Sequence, residues 1–196
     1  MLVRDLLKWL SRFSEIRKPT VMRRIVVPWR IRLSRLHEVV QAAMGWTNTH
    51  LYEFQIRDVG FGLPDQEWGD GPLDARKVSL LSAIQDTGAK SFKYHYDFGD
   101  GWTHSIKIER TFPIVAPADP MLIEAMGRCP PEDVGGPWGY QEFREALADP
   151  AHERHAELVE WSGAKDFDPN NAAFADLNRA VENLAAKWAR RSRRKA

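Results

Sequence analysis

A single cysteine, Cys129, stands in the 196-residue chain, so neither an internal disulfide nor a cysteine-rich zinc site is available. No apolar run approaches the roughly 20 residues of a membrane span. The opening Met1–Phe13 is broken by Arg4, Asp5, Lys8 and Arg12 and lacks the uninterrupted apolar stretch of a secretory signal. There is no glycine-rich phosphate loop of recognised spacing and no GxSxG elbow. His152-Glu-Arg-His155 has i,i+3 spacing, not that of HExxH, and reads as a solvated helix face. Cys129 sits between Arg128 and Pro130 with no neighbouring base, a poor setting for a nucleophile. These absences set the expectation of a cytoplasmic protein without a membrane partner. They name no catalytic residue, metal or cofactor, and leave the oligomeric state open.

What the chain does have is a core's worth of apolar side chains, 43% of its residues, and eight tryptophans. Its net charge of +1 conceals a segregation. Residues 1–36 carry a balance of +8 and residues 169–196 one of +5, whereas residues 37–118 carry −4 and residues 119–168 carry −8. Two readings follow. The basic ends lie over the acidic middle or face solvent, or they form a nucleic-acid face using Arg23, Arg24, Arg190, Arg191, Arg193 and Arg194.

Leu2, Leu6, Leu7, Leu10 and Phe13 fall near helical spacing, which predicts an N-terminal helical extension over 1–17. A domain over 18–188 and a basic tail over 189–196 complete the expected organisation. Val21–Val27 is rich in β-branched residues and stops at Pro28, as a strand would. Ser34 is a suitable cap for a helix over Arg35–Met44 that ends at Gly45. Residues 50–57 alternate as a second strand, and residues 59–74 read as a surface loop. A short helix around Ser79–Asp86 closes at Gly88. Later helices are expected over Gln141–Ala148, from Pro150 with Asp149 as cap to near Trp161, and along the stripe Phe174, Leu177, Val181, Leu184 and Trp188. Strands early and helices late favour an α+β domain.

The chemistry concentrates at two glycine-punctuated corners. Phe92, Tyr94, Tyr96 and Phe98 alternate with Lys93, His95 and Asp97. After Gly99-Asp100-Gly101 the alternation resumes through Trp102, His104, Ile106 and Ile108, a β-hairpin. Asp97, Asp100 and His104 could surround a divalent cation, or Asp97 could hold loop amides while His104 is half-buried. The second corner, Cys-Pro-Pro-Glu-Asp-Val-Gly-Gly-Pro-Trp-Gly-Tyr at 129–140, offers Glu132, Asp133, Trp138 and Tyr140 as a binding rim. The competing reading pins that loop by burying Trp138. A shared pocket requires the two corners to meet.

Taken in order, Arg23-Arg24-Ile25-Val26-Val27-Pro28, Met44-Gly45-Trp46, His50-Leu51-Tyr52-Glu53-Phe54, Tyr96-Asp97-Phe98-Gly99-Asp100-Gly101-Trp102-Thr103-His104 and the 129–140 segment resemble the plasmid pRiA4b ORF-3-like family. The resemblance spans roughly residues 18 to 180. It implies an α+β domain with a curved antiparallel sheet flanked by helices, helices concentrated in the C-terminal half. It also implies an association with mobile DNA, since members are often labelled insertion-element passenger or TnpR-like proteins; it transfers no catalytic residue. Met22 stands where the family usually has Trp, and Val134 takes a position where many members have cysteine. The resulting expectation is a binding or interaction module with a nucleic-acid or protein partner. The alternative is a metal-dependent enzyme or small-ligand site built from the two acidic corners.

Overall fold

An eight-stranded sheet organises the computed structural model, which describes residues 4–13, 18–64, 71–114, 119–163 and 167–193. The strands are β1 (Arg4–Phe13), β2 (Met22–Pro28), β3 (Tyr52–Ile56), β4 (Val59–Gly62), β5 (Leu73–Asp74), β6 (Ser91–Tyr96), β7 (Trp102–Ile114) and β8 (Met121–Met126). The helices are α1 (Leu33–Met44), α2 (Leu80–Thr87), α3 (Gly136–Ala148), α4 (His155–Ser162) and α5 (Phe174–Arg193). The strand order is β5-β4-β3-β6-β7-β1-β2-β8, with β4 and β5 parallel and every other pair antiparallel. This is the α+β class, with three of the five helices among the described residues lying in the C-terminal half.

Alternation in the sequence becomes a two-faced sheet. Phe92, Tyr94 and Tyr96 of β6 are buried, as are Trp102, His104 and Ile106 of β7, because those positions share the core side of the pleat. Tyr52, Phe54 and Ile56 of β3 join them. Helix α1 contributes Leu33, Leu36, Val39, Val40 and Ala43, none of them exposed. It stops at Gly45, whose φ of 84° lets its N–H reach the Gln41 carbonyl. Helix α5 packs on α1 and β8 through Leu177 and Val181, while Leu184 and Trp188 are half-buried and Phe174 is exposed. The capping of α2 is local: Ser79 accepts from the Ser82 N–H, and Ser82 returns a side-chain bond.

Several expectations are corrected. Within the helical extension expected over 1–17, residues 4–13 form strand β1, which fills the gap between β2 and β7; residues 1–3 and 14–17 lie outside the described residues. Backbone pairing on both sides outweighs a weak helical stripe, since an unpaired interior strand edge would leave a row of N–H and C=O groups without partners. The 59–74 loop contains β4 and β5. Ser34 does not cap α1, whose N-cap is Arg32; the Ser34 N–H instead bonds the Ala75 carbonyl. Asp149 accepts from the Ala151 N–H and holds a turn, so α4 starts five residues after Pro150. The basic tail expected from 189 is helical as far as Arg193.

Candidate functional site

The β6–β7 turn leaves the pleat at Asp97, whose φ of 53° is a left-handed conformation that Asp tolerates better than most residues. Its carbonyl accepts from the Gly101 N–H at 2.6 Å, closing the turn. Carboxylate Oδ1 accepts from the N–H groups of Gly99 and Asp100 at 3.1 and 3.3 Å, which leaves Oδ2 for another partner. The Asp97 N–H bonds the Leu51 carbonyl at 3.0 Å, so the turn is fastened beside the segment that carries His50.

The loop at 129–135 docks against this turn through two other acids. Asp100 Oδ2 accepts from the Gly135 N–H at 3.2 Å. Glu132 Oε2 accepts from the Thr47 N–H at 2.8 Å and from the Thr47 hydroxyl, and Oε1 accepts from the Tyr96 hydroxyl at 2.5 Å and the Thr49 hydroxyl at 3.4 Å. Desolvation pushes the Glu132 carboxyl up, but these donors outweigh it and hold it below its ordinary value. The Trp46 indole N–H adds a bond to the Pro130 carbonyl at 3.0 Å.

The two corners therefore lie side by side, and the approach is closest at Gly136. That residue has φ of 68°, and an added Cβ would fall inside contact distance of the Asp100 carbonyl oxygen. Gly136→Ala combines left-handed strain with a backbone overlap. It should cost about 2–3 kcal/mol of stability, measured by urea unfolding.

His50, Asp97 and Asp133 meet where the corners join. His50 Nε2 lies 3.1 Å from Asp133 Oδ1 and 3.6 Å from Asp97 Oδ2. That nitrogen is buried, yet neither carboxylate satisfies it as a hydrogen bond. The three ligand atoms all lie within 4.8 Å of one another, and among the described residues this is the one such group of His, Cys, Asp or Glu. Asp133, like Asp97, has positive φ, at 60°. Metal–ligand bonds of about 2.1 Å place neighbouring ligands roughly 3–4 Å apart, so one imidazole and two carboxylates are suitably disposed to share a cation.

The other candidates occupy different settings. Asp100 and Glu132 tether the loops. His104 is not exposed at all: it lies edge-on to Trp46 and beside Tyr94, and desolvation lowers its pKa to about 3. Trp102 and Tyr140 are core residues. Trp138, read alternatively as the buried pin, is 83% exposed in the first turn of α3. Cys129 is half-buried, and desolvation raises its thiol to about 12, so it is protonated at neutral pH.

The basic face needs correction. Arg23 is buried inside the protein, and Arg24 is paired with Glu109 at 2.9 Å and with Glu124. Arg190 is exposed on α5, whereas the side chains of Arg191 and Arg193, and all of Arg194, lie outside the described residues. His50 carries no site signal in the sequence, where it stands at the head of the β3 alternation; the strand itself begins two residues later, at Tyr52.

The model of the family described as plasmid pRiA4b ORF-3-like protein matches residues 13–176. The chain belongs to that family. A Sinorhizobium fredii relative, Uncharacterized protein y4hQ, is 77% identical over 178 residues, covering 91% of this chain and 92% of its own. The crystal structure of MM3350 from Methanosarcina mazei, a protein of unknown function, superposes with a TM-score of 0.78 at 30% identity. That likeness covers 89% of this chain and 98% of the other. The pRiA4b ORF-3-like match includes all three residues of the trio and both loops that join them. Among the described residues of this family member, no helix is long and apolar enough to cross a membrane.

Proposed function

We propose that this pRiA4b ORF-3-like protein is a binding module whose ligand is a divalent first-row cation such as zinc or manganese, held by His50, Asp97 and Asp133. The supporting observation is the convergence of one imidazole nitrogen and two carboxylates from three separate segments within 4.8 Å. A mixed nitrogen and oxygen donor set suits these ions better than the all-oxygen sites of calcium and magnesium. Three protein ligands leave room in the cation's coordination shell for a water or a further ligand. Asp97 is anchored by the loop amides on one oxygen, which orients the other, as a surrounding hydrogen-bond shell commonly does for a metal ligand.

Nucleic-acid contact through the basic segments is the weaker reading, because Arg23 is buried and Arg24 is engaged in ion pairs. The family's plasmid description supports a setting on mobile DNA without supplying a ligand. Calorimetric titration of chelator-treated protein with zinc and with manganese tests the cation reading. One ion per chain should bind, and His50→Ala or Asp133→Asn should weaken that binding at least about tenfold. No heat with either metal, or an affinity in both variants unchanged from that of the unsubstituted protein, would refute the site.

A further inference from the structure

A cavity of about 570 Å3 between α3 and the segments at Lys18 and at Phe167–Pro169 shares no lining residue with the cation trio. Its size lies in the range of small-molecule sites. One part of its wall is apolar, formed by Pro137, Leu147, Phe167 and Pro169, while Lys18 and Arg144 supply two cationic groups. Arg144 Nη1 donates to the Lys18 carbonyl at 2.7 Å, and its Cζ lies 5.7 Å from the centre of the Tyr140 ring. These contacts hold the guanidinium in place without neutralising it. Its Nε is buried and has no hydrogen-bond partner, and neither Arg144 nor Lys18 forms an ion pair with a described residue.

We infer that this cavity binds a small organic carboxylate, its head on Arg144 and Lys18 and a flat apolar body against Phe167 and the two prolines. A fixed guanidinium with unused donors recognises a carboxylate through charge-assisted hydrogen bonds. Glu145 also lines the cavity and already accepts from Gln141 Nε2 at 2.9 Å. Its negative charge disfavours a multiply charged head group, so a monoanion fits better than a phosphate. The apolar wall excludes a bare anion as the preferred ligand.

The test is an NMR titration of the full chain, in the presence of EDTA so that the cation site does not contribute. Benzoate, benzamide and acetate are the probes. Benzoate should bind at least about tenfold more tightly than neutral benzamide and than acetate, and Arg144→Gln should remove that preference. Lys18 is exposed, so Lys18→Gln keeps the fold and should weaken benzoate about threefold even if the Arg144 variant fails to fold. Equal affinities for benzoate and benzamide would overturn the assignment. So would unchanged benzoate binding in Lys18→Gln, or no benzoate binding at millimolar concentration.

Discussion

Arg23→Met should lower the stability of this protein by about 3–4 kcal/mol, a drop of roughly 10 °C in Tm for a chain of this size. The guanidinium has no exposed surface, yet it forms no carboxylate pair with a described residue; it serves backbone carbonyls instead. Nε donates to Ala43 at the end of α1 (2.8 Å), and Nη1 donates to Met22 on β2 (2.8 Å) and to Met126 and Gly127 at the end of β8 (2.7 and 3.1 Å). One side chain thus joins the last turn of a helix to two neighbouring strands. Methionine fills much of the space but leaves these acceptors without their donor, and each such loss costs about 1–3 kcal/mol. Desolvation already depresses the arginine's pKa, so removing the charge returns part of that burial cost and keeps the net below the sum. Lysine is no substitute, because one ammonium cannot span acceptors on three elements. Urea unfolding checks the prediction. A loss below about 1 kcal/mol would be the behaviour of a surface arginine, as a phosphate-contacting face requires.

The second large effect is acid lability between about pH 6.5 and 4. His37 lies under the sheet: Nδ1 is 2.7 Å from the Tyr94 hydroxyl, Nε2 is bonded to Asn48, and the ring stacks on Tyr52 with centroids 3.6 Å apart. Desolvation lowers its pKa to about 4, and that of His104 to about 3. Both rings are therefore neutral in the folded protein across a range where the unfolded chain, with an ordinary histidine pKa near 6.5, takes up protons. The unfolded state binds more protons, so stability rises with pH in this window and is lost as pH falls. Each histidine contributes about 1.4 kcal/mol per pH unit, and the pair about 5 kcal/mol between pH 6 and 4. Urea midpoints at pH 7, 6, 5 and 4 should fall steeply below 6. In His104→Phe the slope should be roughly halved. A flat profile would contradict neutral, buried imidazoles.

Much of the fold was legible because its signals are local. The period-two run from Phe92 to Ile108, the Gly45 stop of α1 and the Gly88 stop of α2 depend on neighbours within a few residues. Strand β1 was not legible, since Leu6-Leu7-Lys8-Trp9-Leu10 supports either period and the choice is made by β2 and β7, distant in sequence. The two-residue β5 carries too short a pattern to read. At the candidate site, sequence identified both acidic corners but could not divide their four carboxylates. Asp100 and Glu132 turn inward to N–H and hydroxyl donors while Asp97 and Asp133 approach His50, a partition that depends on left-handed backbone at Asp97 and Asp133. Arg23 was misread because charge usually marks a surface, and nothing local announces three elements converging on one guanidinium. Of the two readings open for Trp138, rim or buried pin, the exposed one holds, while Trp102 is buried in the strand alternation.

The direct test of the central reading is anomalous diffraction from crystals grown with zinc, recorded above and below the zinc absorption edge. The account predicts one strong peak about 2.0–2.2 Å from His50 Nε2 and from a carboxylate oxygen of each of Asp97 and Asp133. Density without an anomalous peak between these three residues, or a peak held by other side chains, would contradict it.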